Sequence, residues 1–398
     1  MGNYLIRRSI QMLVVLFFSG MATYALLNLA PGGPLQGLRQ TAQTSTRQIS
    51  EEDIARIRAR FELDLYLPYR FTRWLIGWPT GPITFGGTQF LKDVEVGCRL
   101  PVEESVLVDG REQIRTTGCN DTVTMEELVG RRTSRGVFRG DFGASWAILR
   151  DRPVSEVLWS RIPRTVQLMS VSIIISILLG VPLGVYSAVR QYSRFDYFFT
   201  SLSFMGSSMP TFFFGIIMIL ILAILLKRAG WFYLPPGNAV GVRDYVVPLL
   251  GSIEAGSLVD QLLRMIMPVT VLVMVNVAGW SRFVRASMLE VMRQDYVRTA
   301  RAKGLLEQVV VLKHAFRNAL IPFITIVVFA IPATFGGAII TETVFNWPGM
   351  GRLFVDALGR NDYPVTMAIL LIGAFLTVVA TLLSDILYTV VDPRIRLS

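Results

Sequence analysis

DYVRTARAKGLLEQVVVLKHAFRNALIP, residues 295–322, lies between long apolar stretches, and its placement decides how the rest of the chain is read. Arg298, Arg301, Lys303, Lys313 and Arg317 are interleaved with alanines and with Leu305, Leu306, Val309, Val310 and Leu312. That mixture is too charged for the inside of a bilayer and too apolar for a plain solvated linker. Around it the chain holds mostly apolar runs long enough for a helix to cross about 30 Å of hydrocarbon. Six are readable, at about 9–29, 165–189, 199–226, 265–283, 318–340 and 364–391. Of the 398 residues, 52% are hydrophobic and 17% charged, with a mean hydropathy of +0.49; a soluble domain is about one quarter charged. The expected fold is an all-α polytopic membrane protein with six transmembrane helices.

The net charge of +10 is mostly topology. With the N-terminus in the cytoplasm, Arg7, Arg8, Arg190, Arg194, Arg394 and Arg396 fall on one side. The 281–317 loop adds Arg282, Arg285, Arg293, Arg298, Arg301, Lys303, Lys313 and Arg317 to that side. The two short loops opposite hold Lys227, Arg228, Arg243, Arg264, Arg352 and Arg360. Lysine and arginine of short loops set orientation, so both termini are expected in the cytoplasm. No basic stripe with interleaved aromatics suggests nucleic acid. Arg7 and Arg8 precede an apolar core too long for a signal peptide, and Asn28–Gly33 is a poor cleavage site, so the first span is expected to be retained.

The first and second spans are separated by an expected extracytoplasmic region, 36–160. Ser50 and Asp53 resemble a capping box, and Ile54, Ile57, Phe61 and Leu65 recur at helical spacing, predicting an amphipathic helix on the membrane surface. Gly77 to Gly87 reads as a linker. Val94, Val96, Val106 and Val108, with Asp109-Gly110 before Arg111-Glu112-Gln113-Ile114, predict a β-hairpin. Cys98 and Cys119 flank its turn. A two-residue turn places Cys98 opposite residue 121, two positions from its partner, so a disulfide needs a register change. An oxidising compartment and a small core favour one, against two buried thiols. Two cysteines without a nearby histidine do not make a zinc site.

Catalytic parts are missing. The chain has no H-E-x-x-H, G-x-S-x-G or G-x-x-x-x-G-K-[ST], and its single histidine, His314, lies in the basic loop. In the opening stretch, Tyr296, Ala300 and Gly304 fall at i, i+4 and i+8, a small-residue helical face, with Arg298 and Arg301 on another. Gly304 either ends the helix or admits a second backbone. A short helix of this kind, exposed to the cytosol, suits docking into a partner's groove. The competing reading is a basic helix resting on anionic lipid, which explains the arginines but not Gly304 or the alanines.

Tyr296-Val297-Arg298-Thr299-Ala300-Arg301-Ala302-Lys303-Gly304, followed by Arg317-Asn318-Ala319-Leu320-Ile321-Pro322, resembles the EAA loop of ABC importer permeases of the dipeptide/oligopeptide/nickel class, B-type subunit. Arg298-Thr299-Ala300 fills the first triplet and Pro322 falls eighteen residues after Gly304, both departures typical of the peptide class. Glu342-Thr343-Val344-Phe345-Asn346-Trp347-Pro348-Gly349-Met350-Gly351 is similar to the family's turn after the fifth span. Gly140-Asp141-Phe142-Gly143, Arg161-Ile162-Pro163-Arg164-Thr165 and Asp385-Ile386-Leu387-Tyr388 with Asp392-Pro393-Arg394 resemble its other landmarks. Residues 78–139 have no recognised counterpart.

The resemblance implies a six-helix type I importer permease, divided into residues 1–35 (first span), 36–160 (extracytoplasmic, with a partly β insertion at about 78–139) and 161–398 (five spans and coupling loop 281–317). It implies location in a bacterial plasma membrane and a translocation path for di- or oligopeptides. The implied partners are a homologous C-type permease, two cytoplasmic ABC ATPases that use ATP and Mg, and an extracytoplasmic peptide-binding protein. The chain itself is expected to bind no cofactor or metal and to be no enzyme. Asp295, Tyr296, Arg298, Thr299, Ala300, Arg301, Ala302, Lys303 and Gly304 are implied to couple to an ATPase.

Asn276 and Asp385 are polar at membrane depth, where such groups face a cavity or another helix, although Asp385 lies near the cytoplasmic end. Glu342, Asn346 and Trp347 are placed to line the outer mouth or meet the binding protein, and a capped turn explains the same residues. Gly180-Val181-Pro182-Leu183-Gly184 reads as close packing or a kink. Nickel or glutathione import is the alternative within the class. A secondary transporter would need its own buried coupling groups and repeated halves, which are not visible; a membrane enzyme or assembly factor would co-purify without an ATPase. Cysteine labelling at residue 120 checks the topology: impermeant reagents are expected to reach it only from outside the cell, and labelling only from the cytosol contradicts the reading.

Overall fold

The computed structural model describes residues 2–29, 51–108, 111–131 and 134–391. Among them, five helices are long and apolar enough to cross a membrane: Ile6–Asn28, Val154–Val189, Thr211–Arg228, Leu258–Val291 and Tyr363–Val390. A bent pair, Glu307–Ala319 and Ile321–Ala333 at 50°, makes a sixth where the two count as one span. Against the six expected spans the structure thus has five, or six with this pair, and two departures fall at prolines. The run expected as one helix over 199–226 is two, Arg194–Ser208 and Thr211–Met218. Pro210 separates them: its ring drives the preceding Met209 out of the helical region, to φ −84, ψ 128. At the second break, Pro322 sits just inside the new helix, where its missing N–H costs nothing. Wide π-helical turns at Ile219–Leu225 and Val310–Phe316 add local irregularity to both segments.

The helices are named α1 (Gly2–Leu29), α2 (Glu51–Arg60), α3 (Leu67–Ile76), α4 (Val154–Val189), α5 (Arg194–Ser208), α6 (Thr211–Met218), α7 (Leu258–Val291), α8 (Asp295–Ala302), α9 (Glu307–Val309), α10 (Ile321–Gly337), α11 (Ile339–Val344), α12 (Met350–Gly359) and α13 (Tyr363–Val391). The chain divides into two compact units. The first comprises residues 1–16, 160–355 and 372–398, and the second residues 17–159 and 356–371.

In the first unit α7 is the central helix, carrying Met265, Met267, Val269, Val271, Val273, Trp280, Val284 and Met288 into three apolar clusters. A side chain at Gly184 would approach the Ser281 carbonyl oxygen to 2.6 Å, so the G-x-x-x-G stretch lets α4 lie directly on α7. Asp385, read as a polar group at membrane depth, is tied to α1: Tyr4 donates its hydroxyl at 2.7 Å and Arg8 pairs with it at 3.0 Å.

The second unit holds the β structure. The helix expected to reach Leu65 ends at Arg60, while Ser50 of the capping box lies outside the described residues. Leu65 instead bridges to Gly97 and joins Val96, Val123, Met125 and Leu128 in a small core. Gly97 is required there, because any side chain would overlap the Asp64 carbonyl. The segment read as a linker contains a hairpin of β1 (Ile83–Phe85) and β2 (Thr88–Phe90). Gly86 and Gly87, at φ +58 and +83, supply the two left-handed residues that its tight turn requires.

The predicted larger hairpin is β3 (Glu95–Val108) with β4 (Arg111–Thr124), Val108 opposite Arg111; its turn residues Asp109 and Gly110 lie outside the described residues. Register shifts at four places between Glu95 and Glu103 leave Cys98 paired with Thr122 and Cys119 with Pro101, so the ladder does not set the two cysteines opposite each other. Cys98 and Cys119 form a disulfide with their Cα atoms 5.9 Å apart. In the chain-entropy view, closing a loop of about twenty residues contributes about 3 kcal/mol. The unreduced, denatured protein is expected to show no alkylatable thiol, and Cys98→Ser is expected to expose the 95–124 hairpin to proteolysis; free thiols would contradict the pairing.

Candidate functional site

The segment after α7 is built to stand out from the bundle. Met292, Arg293 and Gln294 close the last turn of α7 through bonds to Met288, Glu290 and Val291. Gln294 is extended, and α8 begins at Asp295, whose charge complements the helix N-terminus. Val297 and Ala300, one helical face at i and i+3, are buried with Val284, Met288, Val310, Val311 and Ala315. Asp295, Tyr296, Arg298, Thr299, Arg301, Ala302 and Lys303 are all exposed. Thus α8 is attached by one narrow apolar face and offers the rest of its surface outward.

Gly304 ends the helix. It takes φ +76 and donates its N–H to the Arg301 carbonyl at 2.9 Å, a turn that glycine makes without the usual cost. Tyr296, Ala300 and Gly304 therefore do not form a common face: Ala300 points inward, Tyr296 outward, and Gly304 has left the helix. Among the described residues, and leaving aside its two chain neighbours, nothing lies within 4 Å of where a Gly304 side chain would begin. The two arginines also differ. Arg301 makes a two-pronged pair with Glu307, its closest contact at 2.7 Å, closing the loop around Gly304. Arg298 has only a 3.7 Å contact to Asp295 and its side chain is 71% exposed.

The other expected site, residues 342–351, is a closed turn. Glu342 is fully buried. Its carboxylate accepts the Thr165 hydroxyl at 2.9 Å and the Arg352 backbone N–H at 2.9 Å, capping the start of α12. Thr165 in turn accepts the Met350 N–H at 2.7 Å. A side chain at Gly349 would overlap the carboxylate, and one at Gly351 would come within 2.7 Å of the Ile339 backbone. Trp347 is also fully buried and donates its indole N–H to the Arg164 carbonyl at 2.9 Å. Glu342 and Trp347 thus face inward and present nothing to a passing ligand. Asn346, at φ +53, is exposed and bonded to Asn238. Asn276 is half-buried on α7, with no hydrogen-bond partner among the described residues.

Two further buried carboxylates do comparable work and were not singled out in the sequence. Asp260, in the first turn of α7, accepts the backbone N–H of Gly241 at 2.6 Å and of Gly256 at 3.0 Å, the Tyr245 hydroxyl at 2.8 Å and Arg264 at 2.6 Å. It holds the 237–257 loop onto α7. Asp362, in the second unit, accepts Ser145 and the N–H groups of Trp146, Ala147 and Ile148 at 2.6–3.1 Å. An acid one to three residues from an apolar helix start is the only signal that could have found them. Glu342→Gln keeps the volume but turns an amide NH2 toward donors, so a loss of about 1–3 kcal/mol is expected, the cost of unpaired buried groups. Thermal unfolding of the purified protein measures this; an unchanged midpoint would contradict the cap.

The comparisons with known proteins agree with this geometry. The family described as binding-protein-dependent transport system inner membrane component matches residues 180–397. An oligopeptide transport system permease protein (AppB) of Bacillus subtilis is 43% identical over 72% of this chain and 85% of its own length. A dipeptide transport system permease protein (DppB) of Escherichia coli is 38% identical over 66% and 78%. A probable peptide ABC transporter permease protein (y4tP) of Sinorhizobium fredii is 30% identical over 100% of both chains, so the 78–139 segment, unmatched when the sequence is read alone, has a counterpart there. A multi-pass helical protein with these relatives and this turn is a member of the family of inner membrane components of binding-protein-dependent transport systems.

Proposed function

We propose that the chain is the B-type permease subunit of an ATP-driven importer of di- or oligopeptides. It forms one half of the translocation path beside a homologous C-type subunit, with both termini and α8 in the cytoplasm and residues 36–160 outside. Two ATPase subunits that bind ATP and Mg engage α8 from the cytosol, and a peptide-binding protein delivers substrate from the other side. The peptide assignment draws on relatives named for oligopeptide and dipeptide transport.

The observation that carries the coupling role is the contrast between Val297 and Ala300, buried against the ends of the spans, and the exposed run from Arg301 to Val309 beside them. A helix of this length has little stability alone, so its position follows the helices that hold Val297 and Ala300. A push on its outer face is thereby passed to α7 and to the 310–323 segment. That apolar anchorage also favours protein docking over a helix lying on lipid, where the apolar face would be turned to the membrane.

Gly304→Ala and Gly304→Leu share the strain of a left-handed backbone but differ in bulk, so their difference reports what packs there. Gly304→Leu is expected to lower ATPase co-purification and peptide uptake about tenfold or more, an overpacking cost of about 1–3 kcal/mol. Gly304→Ala should keep most of both. Equal behaviour of the leucine variant and the unaltered protein would remove the docking role. Arg298→Glu should weaken assembly more at low than at high salt, because exposed pairs are screened.

A further inference from the structure

The second unit contains a cavity of about 750 Å³ whose walls belong neither to α8 nor to the 342–351 turn. Tyr24 and Asn28 from the end of α1, Arg70 and Trp74 from α3, and Tyr363 and Met367 from the start of α13 contribute to it. Its polar groups are unevenly matched. Arg60 pairs with Asp151, Arg99 with Asp121 and Glu127, and Arg131 with Asp64. Of the carboxylates in the wall, Glu62 is held by Arg73 and Asp141 by two backbone N–H groups. Arg70 is the exception: among the described residues it reaches Asn28 and Tyr24, both neutral, and no carboxylate. One turn along the same helix face, Trp74 is more than nine-tenths buried, and its indole N–H has no acceptor. A buried donor without a partner is costly, and beside it stands a guanidinium without a counter-charge.

We propose that this cavity binds the phosphate of an anionic phospholipid, with Arg70 as the charge. The chemistry required is an anionic oxygen acceptor. The reason to assign it to a lipid is the cavity's position. Tyr24 and Asn28 close a helix whose preceding Phe17, Phe18 and Met21 are exposed apolar residues of a membrane span. Tyr363 and Met367 open another span at the same place. Aromatic side chains at span ends mark the level of the headgroups, where an anion arrives attached to acyl chains. A guanidinium at that level can form charge-assisted hydrogen bonds to a headgroup phosphate. The inference does not depend on the coupling role of α8.

The test uses the protein purified with its co-purifying subunits and exchanged into nanodiscs of equimolar phosphatidylcholine and phosphatidylglycerol. Native mass spectrometry then counts the lipids retained after release. Phosphatidylglycerol should be retained in preference to phosphatidylcholine. Arg70→Gln should reduce that preference about tenfold, the scale of one charge-assisted hydrogen bond. Arg70→Lys should restore much of it, an outcome that a merely structural role for Arg70 does not predict. Equal retention of the two lipids, or an unchanged preference in Arg70→Gln, would overturn the proposal. So would displacement of phosphatidylglycerol by millimolar inorganic phosphate, which would identify a soluble anion as the ligand.

Discussion

The contact between Val297 and Ala300 and the ends of the spans is the constraint on which the rest depends. An eight-residue helix does not persist in water by itself. Here it is held because two residues at helical spacing join the apolar cluster that contains Val284, Met288, Val310, Val311 and Ala315. The same arrangement explains why the flanking loop is polar and short: Gly304 turns the chain back and Arg301 pairs with Glu307 across the turn. The helix is therefore neither a free linker nor part of a span. It follows directly on α7, the most deeply buried span of the described bundle.

The opposite requirement governs the helix starts. Backbone N–H groups at the beginning of a helix lack intrahelical partners. Asp260 satisfies loop N–H groups that pack beside the start of α7, Glu342 satisfies those of α12, and Asp362 those of the 145–148 turn. Each is buried, and each accepts several donors from the chain. Buried acids in a membrane protein invite a transport reading. In this chain their partners are its own backbone and neighbouring side chains, which argues for a structural role at these three positions. Asn276, half-buried and without a hydrogen-bond partner among the described residues, is a polar group at membrane depth that none of these caps uses.

The spans were legible because crossing a bilayer demands long apolar runs, and those runs survive any detail of packing. The EAA-like stretch was legible because its residues carry both the helix and the glycine that ends it. Other features depended on three-dimensional partners. The face proposed for Tyr296, Ala300 and Gly304 fails because helical spacing stops where Gly304 becomes left-handed. The break at Pro210 was hidden inside an apolar run that continues through it. The cysteine pairing follows from no strand register that periodicity records, and the 83–90 hairpin was concealed by the glycines that make its turn. Asp260 and Asp362 look like ordinary helix-cap acids until their distant donors are seen. The cavity around Arg70 and Trp74 joins residues hundreds of positions apart.

A photo-crosslinker placed at position 298 tests the central claim most directly, because Arg298 projects from α8 without a close partner. The account predicts that illumination of the assembled complex yields an adduct with the mass of the ATPase subunit. A control crosslinker at Val242, exposed on the loop held by Asp260, should yield none. An adduct with lipid alone at position 298, or the same ATPase adduct from both positions, would contradict the assignment of α8 as the coupling helix.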